Sequence, residues 1–476
     1  PAAPFTVRGG TLAAVWVDVL LPPGTPAGVY QGMVTISAGG QEVSRIVEVR
    51  ARGFDLPCFT SFESELWYNV YNWDHFYGKV DYTPEMHARH ADVLGRYRVG
   101  SIPVDMVKMC PKLTIYHEPD GHFSFDFSEI DKFIKQGLEN GSRSFWSCFA
   151  CCAGWTWWLN DPSRPVIERA DGKTRRIGDY VKLDIWNGVY DPATYKHNPL
   201  YREFLVAYVE HLKQLGINDF SYWELFDEPN DNSRWLAMLE HHKWLREVVP
   251  DLKLLNFGVD PTVTRMGKNA WGLIDAWAPH LHDITPEEDA VIKERRAKYG
   301  EKYWGYTCGE RNDGQGNYSP YIRYDRPYIS ARMHYWATWR HQMDGFLVFA
   351  SSGVPEGNRQ KGPEERWPNS DWVDGGSRGC GTLVYPGADF ELIPGMRLAN
   401  LREGLEDQEY FILLRELAKA LDPVRDAALL ARVNQGLEIE PEIMADAYHW
   451  TKDPVRLEAK REQLSRLILE VQATGR

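Results

Sequence analysis

The sequence predicts an α/β chain built on a (β/α)8 TIM-like barrel, with an N-terminal β-sandwich piece and a C-terminal helical extension. Three observations predict it. From Cys58 onward, short apolar runs alternate with amphipathic stretches at helical spacing. Eight strand candidates occur in that alternation, which suits a closed barrel better than an open sheet. No Gly-rich phosphate motif follows any of them, so an open nucleotide-binding sheet has no support.

Before the barrel, Thr11 to Leu20, Gly28 to Ser37 and Gln41 to Ala51 alternate apolar with polar residues, and Pro22-Pro23-Gly24 and Gly39-Gly40 separate them. That is the pattern of antiparallel strands, and residues 1–57 are expected to form part of a β-sandwich. The barrel is expected over 58–422. Its strands are predicted at Phe59 to Leu66, Gly100 to Pro103, Arg143 to Phe149, Asp219 to Phe226, Leu252 to Phe257, around Ala276 to Ala278, at Lys302 to Cys308 and at Gly345 to Ala350. Helices are predicted between them at Pro84 to Arg98, Ser128 to Asn140, Tyr201 to Leu215, Ser233 to Val249, Pro286 to Tyr299 and Tyr328 to Gln342. Ala150 to Pro199 and Ser351 to Pro394 are too long for simple connections and are where a binding surface is expected. After Asp422-Pro423 the chain turns helical and charged, giving an extension over 423–476.

Composition narrows the partners. A net charge of -13 without an overriding basic run disfavours a phosphate-backbone partner, so no nucleic acid is expected. No apolar run approaches the roughly 20 residues of a membrane span, so no membrane insertion is expected. The 19 Trp and 24 Tyr exceed what packing usually recruits; most such rings are core in any fold, but flat rings at strand ends and in loops suit the C–H faces of sugars, so an oligosaccharide or glycoconjugate is a partner they would fit. The histidines lack a partner set at ligand spacing, and the one cysteine cluster, Cys148, Cys151 and Cys152, lacks a second pair, so no metal or organic cofactor is expected. The chain begins Pro1-Ala2-Ala3-Pro4 without a signal-like segment; we expect a missing targeting sequence and a secreted or periplasmic location.

The chemistry is placed at Asp227-Glu228. Five of the seven residues from Phe220 to Phe226 are apolar or aromatic and lead straight into these two acids, which then sit at the carboxyl end of the fourth strand, where barrel active sites are built. Pro229 is expected to bias Glu228 to extended backbone and to stop the strand there. Two carboxyls so close do not ionise equally, because burial and mutual repulsion raise one pKa and leave an acid beside an anion. The plainer reading is a pair of acids capping the next helix.

The chain also resembles the glycoside hydrolase family 123 catalytic domain. The resemblance rests on Phe226-Asp227-Glu228-Pro229, on Trp304-Gly305-Tyr306, on Arg332 ahead of Asp344-Gly345-Phe346-Leu347, on Gly381-Thr382-Leu383-Val384-Tyr385-Pro386-Gly387, on Arg397-Leu398, and most specifically on Leu401-Arg402-Glu403-Gly404-Leu405-Glu406-Asp407-Gln408-Glu409-Tyr410. It implies a β-N-acetylgalactosaminidase that works by substrate-assisted retaining hydrolysis, with Glu228 as acid and base and Asp227 on the acetamido nitrogen. Trp304 and Tyr306 are then expected to supply a stacking wall and an acetamido hydrogen bond, with Trp367 and Trp372 closing the pocket. Arg332 is either functional or a salt-bridge partner for the barrel. Two alternatives stay open: a retaining glycosidase of the ordinary kind, with Glu310 after strand seven as nucleophile on non-acetamido sugars, and a non-catalytic carbohydrate-binding protein.

Overall fold

The computed structural model describes residues 15–68, 70–100, 106–146, 163–180, 192–258, 269–353 and 379–475, with a few positions among the first fourteen. In chain order its strands are β1 (Gly28–Ala38), β2 (Gln41–Ala51), β3 (Glu63–Leu66), β4 (Thr114–His117), β5 (Phe123–Asp126), β6 (Phe145–Trp146), β7 (Pro165–Glu168), β8 (Thr174–Arg176), β9 (Ser221–Trp223), β10 (Lys253–Phe257), β11 (Ala276–Ala278), β12 (Lys302–Thr307), β13 (Gly345–Val348), β14 (Val384–Pro386) and β15 (Leu392–Pro394). Seven of these make one parallel sheet in the order β3-β13-β12-β11-β10-β9-β6, with amphipathic helices in the connections. The sheet therefore follows the predicted alternation, and all its carboxyl ends lie on one side.

The predicted second strand would separate β3 from β6, and Gly100 stands there. Its carbonyl accepts from the amides of Arg143 and Ser144 at 2.6 and 3.0 Å. A Cβ at Gly100 would fall 2.9 Å from Thr60 Cγ2 and 3.4 Å from both Phe62 O and Ser64 N, so only glycine fits against β3. The remainder of Gly100–Pro103 lies outside the described residues.

Observed strands are shorter than predicted where backbone groups find other partners. Residues before β3 bond to a helix: the Thr60 hydroxyl, the Ser61 amide and the Ser61 hydroxyl donate to the Glu409 carboxylate at 3.0, 2.5 and 2.7 Å. Ahead of β9, Asn218–Phe220 closes a 3-10 turn instead of extending the strand.

Alternate residues of β9 to β13 point inward. Tyr222, Leu255, Phe257, Ala276, Ala278, Trp304, Tyr306 and Leu347 form a cluster separate from the main core beneath the helices. The base of this interior is polar. Lys302 Nζ lies 2.6 Å from Glu63 Oε1 and 2.9 Å from Tyr222 OH, which itself donates to Glu63 Oε2 at 2.9 Å. One step along β3, on the same face, Glu65 is 4% exposed and accepts from the Ser144 hydroxyl at 2.6 Å. Burial pushes the Glu65 carboxyl up to about 8 from 4.5.

This shift has a pH signature. Glu65 binds its proton more tightly folded than unfolded, so the stability it supports is complete below about pH 4.5 and is lost as pH rises towards about 8. The slope in that window is up to about 1.4 kcal/mol per pH unit. Glu65→Gln, which still accepts from Ser144 but cannot ionise, is expected to flatten it. Urea midpoints at pH 5, 6, 7 and 8 check this, and parallel curves for both proteins would refute it.

Two additions differ from the expectation. Of the three N-terminal strands expected, β1 and β2 pair over their whole length from Gly28↔Ala51 to Ala38↔Gln41, turning at Gly39 and Gly40, both at positive φ. The third does not form: residues 15–20 carry no strand, so the described N-terminal part is a two-stranded ribbon, not a sandwich. A second sheet, β5-β4-β7-β8, occupies stretches taken as connections. Its turns were signalled by Glu118-Pro119-Asp120-Gly121 and Asp171-Gly172, each flanked by short alternating runs.

The C-terminal helices are held by a buried ion network. Asp407, on the Met396–Ala418 helix, accepts from Arg332 Nε at 2.6 Å, Arg332 Nη2 at 2.9 Å, Arg461 Nε at 2.7 Å and Trp336 Nε1 at 2.8 Å. Burial works to raise the Asp407 pKa, but the two guanidinium groups outweigh it and hold the carboxyl below its usual value. Arg332 is thereby a structural partner, the second of its two expected roles.

Candidate active site

The acid pair leaves the sheet as expected but with a different backbone. After β9, Glu224 to Phe226 remain buried, Asp227 is exposed and Glu228 is half-buried. Pro229 was expected to hold Glu228 extended; instead Glu228 takes φ 39°, in the left-handed region that non-glycine residues seldom enter. The surroundings hold it there. The Arg234 guanidinium donates to the carbonyl oxygens of Asp227 and Glu228, and the Asn230 amide donates to the Glu228 carbonyl at 2.6 Å. Strain of this kind persists only where neighbours over-determine it, and it concentrates at functional sites. The helix that follows, Asn232–Val248, is capped by Asp231, which accepts from the Arg234 amide at 2.9 Å. Neither Asp227 nor Glu228 serves as that cap.

Neighbouring strand ends close around Glu228. Gly258, immediately after β10, has φ 70°, and a Cβ on it would lie 2.4 Å from Glu228 Cγ, so glycine makes the space the side chain occupies. His280, two residues beyond β11, places Nε2 3.7 Å from Glu228 Oε1. Tyr306, near the end of β12, brings its hydroxyl close enough to Glu228 to favour the ionised carboxylate. Cys308 and Arg311 follow on the same segment; Arg311 acts on Glu228 electrostatically, while Glu228 and Asp227 help to keep the Cys308 thiol protonated.

Glu228 is raised above 4.5 by burial and then by the charge of Asp227; Tyr306, Arg234 and Arg311 oppose the shift without cancelling it. Burial, with Cys308, Glu228 and Asp227 around it, holds the Tyr306 hydroxyl protonated far above neutrality. His280 is pushed down to about 4 by burial and by His282, so it is neutral at pH 7. An acid with elevated pKa therefore sits beside a second carboxylate, a fixed hydroxyl donor and a neutral imidazole. That set can give a proton to a leaving oxygen and later take one from water.

The other expected site residues divide. Tyr306 joins the acids. Trp304 does not: at 1% exposed it is interior packing, with its ring edge-on to Tyr222 and a Cβ at Gly345 only 2.6 Å from it, so no sugar can stack there. Both Glu310 carboxylate oxygens are bound by Arg326, at 2.5 and 2.7 Å, and Arg323 adds a contact at 3.2 Å. Trp367 and Trp372, like Cys148, Cys151 and Cys152, lie outside the described residues. His280, Gly258 and Arg311 were missed, although a polar residue just past a barrel strand, as in Ala276-Trp277-Ala278-Pro279-His280, is the available signal.

A cavity of about 1220 Å³ lies away from this chemistry. It opens by the start of β13, between Met343, Asp344 and the C-terminal helices at Gln408, Ile412 and Ala445, and touches neither acid. Among the described residues no group of three or more His, Cys, Asp or Glu is arranged to hold a metal ion, and no helix is long and apolar enough to cross a membrane.

The catalytic-domain model of glycoside hydrolase family 123 matches residues 69–414. No curated protein matches the chain. A solved family 123 glycoside hydrolase from Clostridium perfringens, studied for hydrolysis of glycolipid glycans, is similar with TM-score 0.54 and 14% identity, over 94% of this chain and 76% of that one. An endo-1,4-β-mannanase from Rhizomucor miehei (TM-score 0.31, 12% identity, 66% of this chain and 92% of that one) and a β-galactosidase from Bacillus circulans sp. alkalophilus (0.35, 12%, 80% and 64%) are too loosely similar to carry an argument. With a match over most of its length, a parallel sheet of the expected order and an acid pair at the strand ends, the chain belongs to glycoside hydrolase family 123 and is an enzyme acting on glycans.

Proposed function

We propose that the enzyme releases β-linked 2-acetamido-2-deoxy sugars, N-acetylgalactosamine first among them, by substrate-assisted retaining hydrolysis, on a closed (β/α)8 barrel. The observation that carries this reading is the acid pair at the strand ends, in which Glu228 is raised with Asp227 as its immediate neighbour. Glu228 gives its proton to the glycosidic oxygen as the acetamido oxygen of the substrate bonds to C1 and the bond to the aglycone breaks. Asp227 stabilises the positive charge that develops on the acetamido nitrogen. Water then attacks C1, the acetamido oxygen leaves C1 to restore the acetamido group, and ionised Glu228 accepts the proton of the water. Tyr306 donates to the acetamido group or holds Glu228 in line.

A glycolipid or another glycoconjugate fits as substrate, since glycolipid glycans are what the Clostridium perfringens enzyme was studied on. The ordinary retaining mechanism has less support, because a nucleophilic Glu310 would first have to leave its two arginines. Trp367 and Trp372 remain our candidates for the pocket's outer wall.

A panel of nitrophenyl glycosides tests the reading. Turnover is expected on 2-acetamido-galactosides, at least about 100-fold above plain galactosides, because nearby attack by the acetamido group supplies much of the rate. Equal rates on both would overturn substrate assistance.

A further inference from the structure

His280 is built into the site more tightly than a bystander. Its backbone pairs with Tyr306 as a parallel bridge extending the β11–β12 ladder, and the Tyr306 amide donates to Pro279 O at 2.9 Å. Its ring lies 4.7 Å from the Tyr306 ring and stacks on His282 at 5.0 Å. His282 Nε2 in turn lies 3.5 Å from Asp283 Oδ2. The His280 side chain is 11% exposed, and Nε2 is 3.7 Å from Glu228 Oε1. The other ring nitrogen, Nδ1, is buried with no hydrogen-bond partner among the described residues.

We propose that His280 is a positioning residue for Glu228: a neutral imidazole whose Nε2–H closes on the Glu228 carboxylate in the half of the cycle in which Glu228 acts as base. The proposal rests on the acid–base reading of Glu228. The tautomer follows from the surroundings. Nδ1 has no acceptor to donate to, whereas Nε2 faces a carboxylate, so the proton belongs on Nε2. The 3.7 Å gap is too long for a hydrogen bond with a protonated carboxyl, and a movement under 1 Å brings it into range. Catalytic hydrogen bonds commonly tighten in this way when the reacting state forms.

Neutrality matters to the role. An imidazolium at that distance would favour the carboxylate so strongly that the acid of the first half would be lost. Burial and His282 keep His280 uncharged, with Arg311 acting in the same sense and Asp283 against it. Glu228 meanwhile faces Asp227, Arg234, Tyr306, Cys308 and Arg311, and of these Tyr306 packs on the His280 ring. A neutral donor gives the ionised form modest support and leaves the protonated form accessible.

The test compares His280→Leu, His280→Gln and His280→Asn with the wild type, in full pH profiles on the best nitrophenyl substrate. Leu removes the donor, so the basic limb of kcat/KM is expected to move up by about half a unit or more. The slower second half should lower kcat about tenfold and KM with it. The Gln amide nitrogen reaches nearly as far as Nε2 and is expected to restore both limb and kcat; the Asn amide stops short and should behave like Leu. A limb unmoved in all three variants, or Gln no better than Asn, would overturn the proposal. If Leu does not fold, the Gln–Asn contrast decides. Failure of the Glu228 assignment is separate: it would show as a wild-type basic limb that survives in Glu228→Gln.

Discussion

Glu228→Gln is expected to lower kcat by about 10²–10⁴-fold, the usual contribution of a positioned acid–base group, while product binds with nearly unchanged affinity. The amide keeps the shape of the side chain and can still accept from Tyr306, but it can neither give a proton to the leaving oxygen nor take one from water. In the wild type the sign of the pH effect follows from the raised pKa. The first half needs protonated Glu228, so kcat/KM falls as pH rises through a pKa lying above 4.5, held up by burial and by Asp227. The Gln variant should lose that limb altogether. A substrate with a dinitrophenyl aglycone, which departs without a proton, should lose less in its first step than one with a sugar aglycone. Activity above a tenth of wild type on a sugar aglycone would remove Glu228 from the chemistry.

Asp407→Ala is expected to destabilise the chain by about 3–5 kcal/mol, the range for removing one partner of a buried ion pair. Asp407 is 3% exposed and Arg332 is 5% exposed, and Arg461 shares the same carboxylate. Two guanidinium groups would lose the buried carboxylate they share, leaving Arg332 with the more exposed Glu458 and Arg461 with Glu403, and the Trp336 indole N–H would lose its acceptor. None of these partners belongs to the acid pair, so the folded fraction should keep its kcat. Chemical denaturation followed by far-UV circular dichroism measures the loss, and a cost below about 1 kcal/mol would contradict it. Replacing Arg332 by Met in the Asp407→Ala background should recover part of the stability by removing one of the stranded charges.

The network also explains why the run from Leu401 to Tyr410 was the most specific mark of the family. Glu409 fixes the residues before β3, and Asp407 fixes Arg332 and Arg461, so this segment ties the last helices to the barrel. It is a signature of architecture, where the sequence had shown only a motif. Legibility elsewhere followed the range of the interaction. The parallel strands and their helices were readable because burial imposes a period of two or of 3.6 on neighbouring residues. The β4–β5 hairpin carried a local signal, its Pro-Asp-Gly turn, but the stretch was taken as a connection. Thr11 to Leu20 misled because alternation shows only that a segment suits a sheet, and a strand also needs a partner.

Sequence alone determined the order of the strands, the place of Asp227 and Glu228 at a strand end, and the family, since each is written in contiguous residues. Tertiary structure decided the rest. It buried Trp304 inside the sheet's curve, gave Glu310 to two arginines, turned Glu228 into a left-handed conformation over Gly258, and brought Tyr306 and His280 to its carboxyl. Those outcomes depend on which side chains from distant strands share a face and how much water they exclude. That is a property of the closed packing, and no local pattern encodes it.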